Sequence, residues 1–268
     1  MKIIIKHIKV LRAFFQISLK TSIEYMSDFA ALALDFCLTI VFSFLFWNYL
    51  LSDFDMLAGW NMEELVILAL FGSSSWSVGQ FLAGSWQLSE KIMGGQLDKY
   101  LCRPINPLFS LVLEDMQLDE VLKGVLSMGI FLVFYRIKLG VIPSVWSVLG
   151  ALVLLLMGIL IVALVRCIFS CISFWIENER GISVVVHMED FGLDRYPADM
   201  FHGAGKVILF SVIPVAYISY VPALIYLCKN TLNPLFFLAG ETVIIVFLLC
   251  LLQFVWKRGI RRYEANGG

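Results

Sequence analysis

Charge is what this chain has least of. Only 15% of its 268 residues are Asp, Glu, Lys or Arg, while 60% are hydrophobic and the mean hydropathy is +0.87. Soluble domains carry about 25% charged residues, and a soluble fold of this size could not cover so much apolar surface. The composition therefore points to an integral membrane protein. The formal net charge of −1 gives no electrostatic reason to expect nucleic acid as a partner.

Several chemical signatures are missing as well. The six cysteines include no Cys-x-x-Cys pair, and Cys37, Cys167, Cys171, Cys228 and Cys250 lie in apolar segments, where cysteine is usually a small hydrophobe. The histidines (His7, His187, His202) are scattered, so neither a disulfide framework nor a zinc site is indicated. The serine cluster GSSSWSVG, Gly72 to Gly79, lacks the G-x-S-x-G pattern and has no nearby His. GAGK, Gly203 to Lys206, is an incomplete phosphate loop. Met200 stands where its first glycine belongs, and Val207 replaces the magnesium-binding hydroxyl. Paired acids occur at Glu114–Asp115 and Asp119–Glu120. In an enzyme such pairs can share a proton or hold a metal; at the edge of a membrane span they are more often a solvated face or salt-bridge partners.

What the chain does have is long apolar runs. A bilayer span needs about 20 mostly apolar residues, and six candidates follow: Phe29–Leu51, Leu65–Trp86, Leu118–Tyr135, a long one from Val141 through Val165 to Ile176, Val207–Cys228 and Leu235–Trp256. The second has no charge and is crowded with Gly and Ser, which let helices approach closely. The fifth contains Pro214 and Pro222, which predict a broken or re-entrant helix. Asp35 in the first span and Glu241 in the sixth are ionisable groups within lipid. Such groups usually face a partner or a watery cavity, so both are candidates for a translocation path. Pairing with Arg166 or Lys123 is the purely structural alternative.

Before the first span, Lys2, Lys6, Lys9, Arg12 and Lys20 fall on one helical face, with Ile4, Ile8, Leu11, Phe15 and Leu19 opposite. This predicts an amphipathic helix over residues 1–27, lying on the membrane surface against anionic lipid. The spans then occupy 28–258, and 259–268 form a tail. Placing both termini in the cytoplasm puts fifteen basic residues inside, Arg195 and Lys206 among them, against three outside.

The stretch between the second and third spans, GGQLDKYLCRPINPL (Gly94 to Leu108), is then cytoplasmic. Leu97, Tyr100 and Leu101 sit at i, i+3 and i+4 and predict one apolar helical face. Arg103-Pro104 predicts the helix stop.

The pattern G-x-L-D-K-Y-L-x-R-P-x-N-P-L at Gly95 to Leu108 resembles the membrane subunits of type-2 ABC exporters, in particular bacterial permeases found as two adjacent chains beside one ATPase. SFW (Ser173 to Trp175), RYP (Arg195 to Pro197), IPVAYISYVPA (Ile213 to Ala223) and the terminal RRYEANGG are similar to that family in the same order. The resemblance implies an all-α fold with six transmembrane helices, an interfacial connecting helix and a cytoplasmic coupling helix. It assigns Gly95, Leu97, Asp98, Tyr100, Leu101, Arg103 and Pro104 to docking on the ATPase, and Pro214 and Pro222 to the outer part of a proline-broken fifth span. It further implies a bacterial plasma-membrane location, a cytoplasmic ATPase dimer carrying ATP and Mg, and a second permease chain. The chain itself would hold no cofactor and perform no catalysis. The residues alone leave open a membrane-embedded enzyme using Asp35, Glu241 or the 114–120 acids, and a non-transporting scaffold.

Overall fold

The computed structural model describes residues 11–13, 15–17, 20, 26–52, 56–82, 84–114, 116–122, 124–125, 128–129, 144–176, 192–229 and 233–263. Among these the chain is helical, and its only β-type pairing is the isolated Leu57–Trp60 bridge. The helices are α1 (Met26–Leu50), α2 (Met62–Gly79), α3 (Gly84–Met93), α4 (Asp98–Leu101), α5 (Pro107–Leu113), α6 (Val145–Ser170), α7 (Ala204–Ser211), α8 (Tyr220–Tyr226) and α9 (Pro234–Ile260).

Local chemistry accounts for where several of them begin. Asn61 and Glu64 form a reciprocal cap at the start of α2, with two bonds of 2.9 Å that satisfy otherwise orphaned amide groups. α5 and α9 share another device. Asn106 and Asn233 cap them, and the following proline occupies the first turn, where its missing N–H costs nothing. Ser144 caps α6 through the Ser147 amide at 3.1 Å.

Among the described residues, three helical stretches are long and apolar enough to cross a membrane: Met62–Met93, Val145–Phe174 and Pro234–Ile260. The second runs for 30 residues, about 45 Å of helix, so it outreaches a hydrocarbon core of about 30 Å. It is the central column of the molecule, packed by α2, α3, α8 and α9. α6 and α9 run in the same direction. At one end Ser147 meets Cys228 at 3.4 Å; at the other the Phe174 ring packs on Gly259 and Trp256. These are called the Trp60 end and the Trp256 end below. The described part of the expected third span packs on α2, where a Cβ at Gly124 would press against the Ser74 carbonyl.

Of the two forms expected for the fifth segment, broken or re-entrant, its two ends favour the re-entrant one. α7 is followed by a break, and the helical stretch Val215–Tyr226, which ends in α8, is bent from it by 71°. Before α7, Asp199 bonds to the Trp60 indole; after α8, Lys229 bonds to the Gly59 carbonyl and to Glu64. Both ends therefore lie beside the same short segment, Gly59 to Glu64. The pair enters and leaves at one end and does not cross. Its tip, Val215–Tyr217, reaches the middle of α6, with the Tyr217 carbonyl against Gly158. Gly158 is thirteen residues after Val145, about 20 Å along the helix.

Only one of the two prolines makes the break. Pro214 sits at the bend, whereas Pro222 lies in the first turn of α8, where a helix tolerates proline. Arg195 and Lys206 consequently belong to the Trp60 end, apart from the Gly94–Leu108 stretch with which the expected orientation groups them.

Candidate functional site

Two regions concentrate the polar chemistry. The first is the stretch between α3 and α5, at the Trp256 end. α3 closes through bonds from the Gly94 amide to Glu90 O, 2.8 Å, and from the Gln96 amide to Lys91 O, 3.0 Å. Gly95 takes a φ of +68°, a left-handed turn that favours glycine. α4 follows as a single turn and ends at Leu101, two residues earlier than Arg103-Pro104 predicts, because Cys102 already closes it.

The expected apolar face of Leu97, Tyr100 and Leu101 is divided. Leu97 and Tyr100 are fully buried in the chain's own core with Leu88, Ile92, Leu111 and Trp256. They hold the segment down and cannot enter a partner's groove. Leu101 stays 39% exposed, and Cys102, Arg103 and Pro104 are exposed beside it. Asp98 is half-buried. Burial first, and then the Asp98 carboxylate, raise the Tyr263 phenol above its ordinary value. Glu114 receives both Lys91 and Lys99 at 3.4 Å, so this acid is a salt-bridge partner as expected. The Lys99 ammonium and the Arg103 guanidinium lie 4.8 and 5.5 Å from the Tyr100 ring centre. The result is a cationic, partly apolar knuckle on a buried base.

The second region is a polar clasp at the Trp60 end, which sequence reasoning missed. Asp199 accepts from the Trp60 indole N–H at 3.1 Å, from Lys206 at 3.1 Å and from the Tyr220 hydroxyl at 2.8 Å. Burial pushes its carboxyl up, but the bonds from Tyr220, Trp60 and Lys206 and the Lys206 charge outweigh that, holding it below the ordinary carboxylate range. Lys229 completes the clasp. It bonds the Gly59 carbonyl at 2.9 Å, pairs with Glu64 and lies 4.8 Å from the centre of the Trp60 ring. Nearby, the rings of Phe46 and Trp47 pack edge-on against Tyr196.

Between the two regions lies the re-entrant tip. The Ser75 hydroxyl of α2 lies 2.7 Å from the Ile218 carbonyl, covering a backbone group that the break leaves without a helical partner. Glu241 on α9 is 1% exposed, within electrostatic reach of Tyr217, and both its carboxylate oxygens lack a hydrogen-bond partner among the described residues. The side chain of Asp35, on α1, lies outside the described residues. Arg166 stacks over Trp76, 4.8 Å from its ring centre, in a cleft also lined by Ser75, Gly79, Ile159 and Ile218.

Residues 37–267 match the family model described as ABC-2 family transporter protein. The chain belongs to that family. Its membrane helices and its membership together make it the membrane component of an ABC transporter, and they imply a system that includes an ATPase. No curated protein and no solved structure matches the chain.

Proposed function

We propose that this chain is the permease subunit of an ATP-driven exporter in a bacterial plasma membrane, working beside a second permease chain. ATP and Mg are held by a separate cytoplasmic ATPase dimer, and the Trp256 end faces the cytoplasm. The observation that carries this reading is the division of the α3–α5 stretch. Leu97 and Tyr100 are locked into the same core as α3, α6 and α9, while Leu101, Cys102, Arg103 and Pro104 project from it. A push on the exposed knuckle is thereby delivered to the spanning helices, which is what a coupling element requires. Leu101 offers an apolar contact and Arg103 a charged, register-fixing one.

At the other end the clasp holds the re-entrant pair closed over the path, and alternating access exchanges closure of one end for closure of the other. ATP can drive that exchange only through different affinities for the two states. Two of the acids that an enzyme could use lie apart. Glu114 is held by Lys91 and Lys99 at the Trp256 end, and Glu241 is buried beside the re-entrant tip.

The reading is tested by purifying the chain from its own membrane and identifying what comes with it. An ABC ATPase that cross-links through Cys102 supports it. A stable preparation in which Cys102 reacts with small thiol reagents but links to no ATPase counts against it.

A further inference from the structure

α9 ends in four cations, Lys257, Arg258, Arg261 and Arg262, and all four residues are exposed. At about 100° per residue they fall on the side of the helix that carries Phe236, Val243, Phe247 and Phe254 further up, each more than half exposed. The opposite side carries Leu252, Trp256 and Gly259, which are buried; Trp256 and Gly259 pack on Phe174. Tyr263, beside Asp98, belongs to that inward side too. The basic group therefore continues an outward apolar stripe and points away from the coupling knuckle. The Arg258 guanidinium lies 4.3 Å from the centre of the Phe254 ring, joining the charged foot to the apolar stripe. Among the described residues, no carboxylate pairs with any of the four.

We propose that this foot of α9 binds the phosphate groups of anionic phospholipids in the leaflet at the Trp256 end. The pattern matches one amphiphile along its length. Acyl chains lie against Phe247 and Phe254, and the headgroup meets a cluster of guanidinium forks suited to phosphate. An acidic protein surface would satisfy the charges but not the apolar stripe that runs directly into them.

The test is native mass spectrometry of the full chain purified in mild detergent, offered phosphatidylglycerol and phosphatidylcholine in equal amounts. The wild-type chain is expected to retain phosphatidylglycerol in preference. The preference should be lost in K257Q/R258Q/R261Q/R262Q, and reduced in each of the doubles K257Q/R261Q and R258Q/R262Q, which disturb the helix end less. Inorganic phosphate at millimolar concentration should not displace the lipid. Equal retention of the two lipids by the wild type, or an unchanged preference in all three variants, overturns the proposal. Displacement by phosphate also overturns it, in favour of a free-anion site. So does a variant that keeps its lipid but loses a co-purifying ATPase, in favour of a protein contact.

Discussion

The Tyr220 hydroxyl lies 2.8 Å from both carboxylate oxygens of Asp199, so one phenol closes the bent helix pair on the residues that precede it. Trp60, 139 positions away from Asp199, donates to the same carboxylate. Asp199→Asn keeps the shape but removes the charge on which three donors converge. A charge-assisted bond contributes about 1.5–3 kcal/mol, and the partial exposure of this site places the loss at the low end. Hydrogen exchange of residues 198–211 should accelerate in Asp199→Asn and, less strongly, in Tyr220→Phe. Unchanged exchange in both variants would show that the clasp does not hold the pair.

The same carboxylate gives the clasp a defined pH range. Its native pKa is depressed, so its contribution is fully present above the unfolded value of about 3.9 and is lost as pH falls through the lower native value. The difference in melting temperature between wild type and Asp199→Asn should stay constant from neutral pH down to about pH 5 and shrink only in stronger acid. A difference that disappears near pH 6 would mean that another group governs this end.

Gly158 tests the depth of the re-entrant tip. A Cβ there would overlap the Tyr217 carbonyl, which is backbone and cannot swing aside. Gly158→Ala should therefore cost about 1–3 kcal/mol, and Gly150→Ala much less, because a Cβ at Gly150 meets only Ile225 at an ordinary 3.5 Å. Thermal denaturation in detergent compares the two, and equal stability of both variants would place the tip away from α6.

Glu241 gives a prediction in the opposite direction. Its buried carboxyl has no donor among the described residues, and an unsatisfied buried polar group costs about 1–3 kcal/mol. Glu241→Leu is expected to raise thermal stability by an amount of that order. If the acid lines the path, transport falls in the same variant. A drop in stability would mean that Glu241 has a structural partner.

The sequence made some of this legible and hid the rest for physical reasons. The apolar runs around α6 and α9 stand out because lipid demands them. Pro214 announced a break, but hydropathy cannot tell a broken crossing from a hairpin that returns, because both are apolar segments of one length. Only the pairing of Asp199 and Lys229 with a single distant segment separates the two. In the stretch between α3 and α5, the i, i+3, i+4 spacing put Leu97, Tyr100 and Leu101 on one face, yet only Leu97 and Tyr100 share the core and Leu101 stays exposed. Spacing does not say whether such a face meets a partner or the chain's own core, which is decided by Leu88 and Leu111 on the two neighbouring helices and by Trp256 from far along the sequence.

The central claim, that Leu101–Pro104 transmits work from an ATPase, is tested most directly by ATP turnover and transport in the reconstituted complex. Leu101→Asp and Arg103→Glu should reach the membrane at normal levels and melt like the wild type, since both side chains are exposed. Transport should nevertheless be lost, and ATP hydrolysis uncoupled from it. Tyr100→Ala, which empties a core position, should instead destabilise the chain by about 3–5 kcal/mol. Normal ATP-driven transport by both Leu101→Asp and Arg103→Glu would contradict the account.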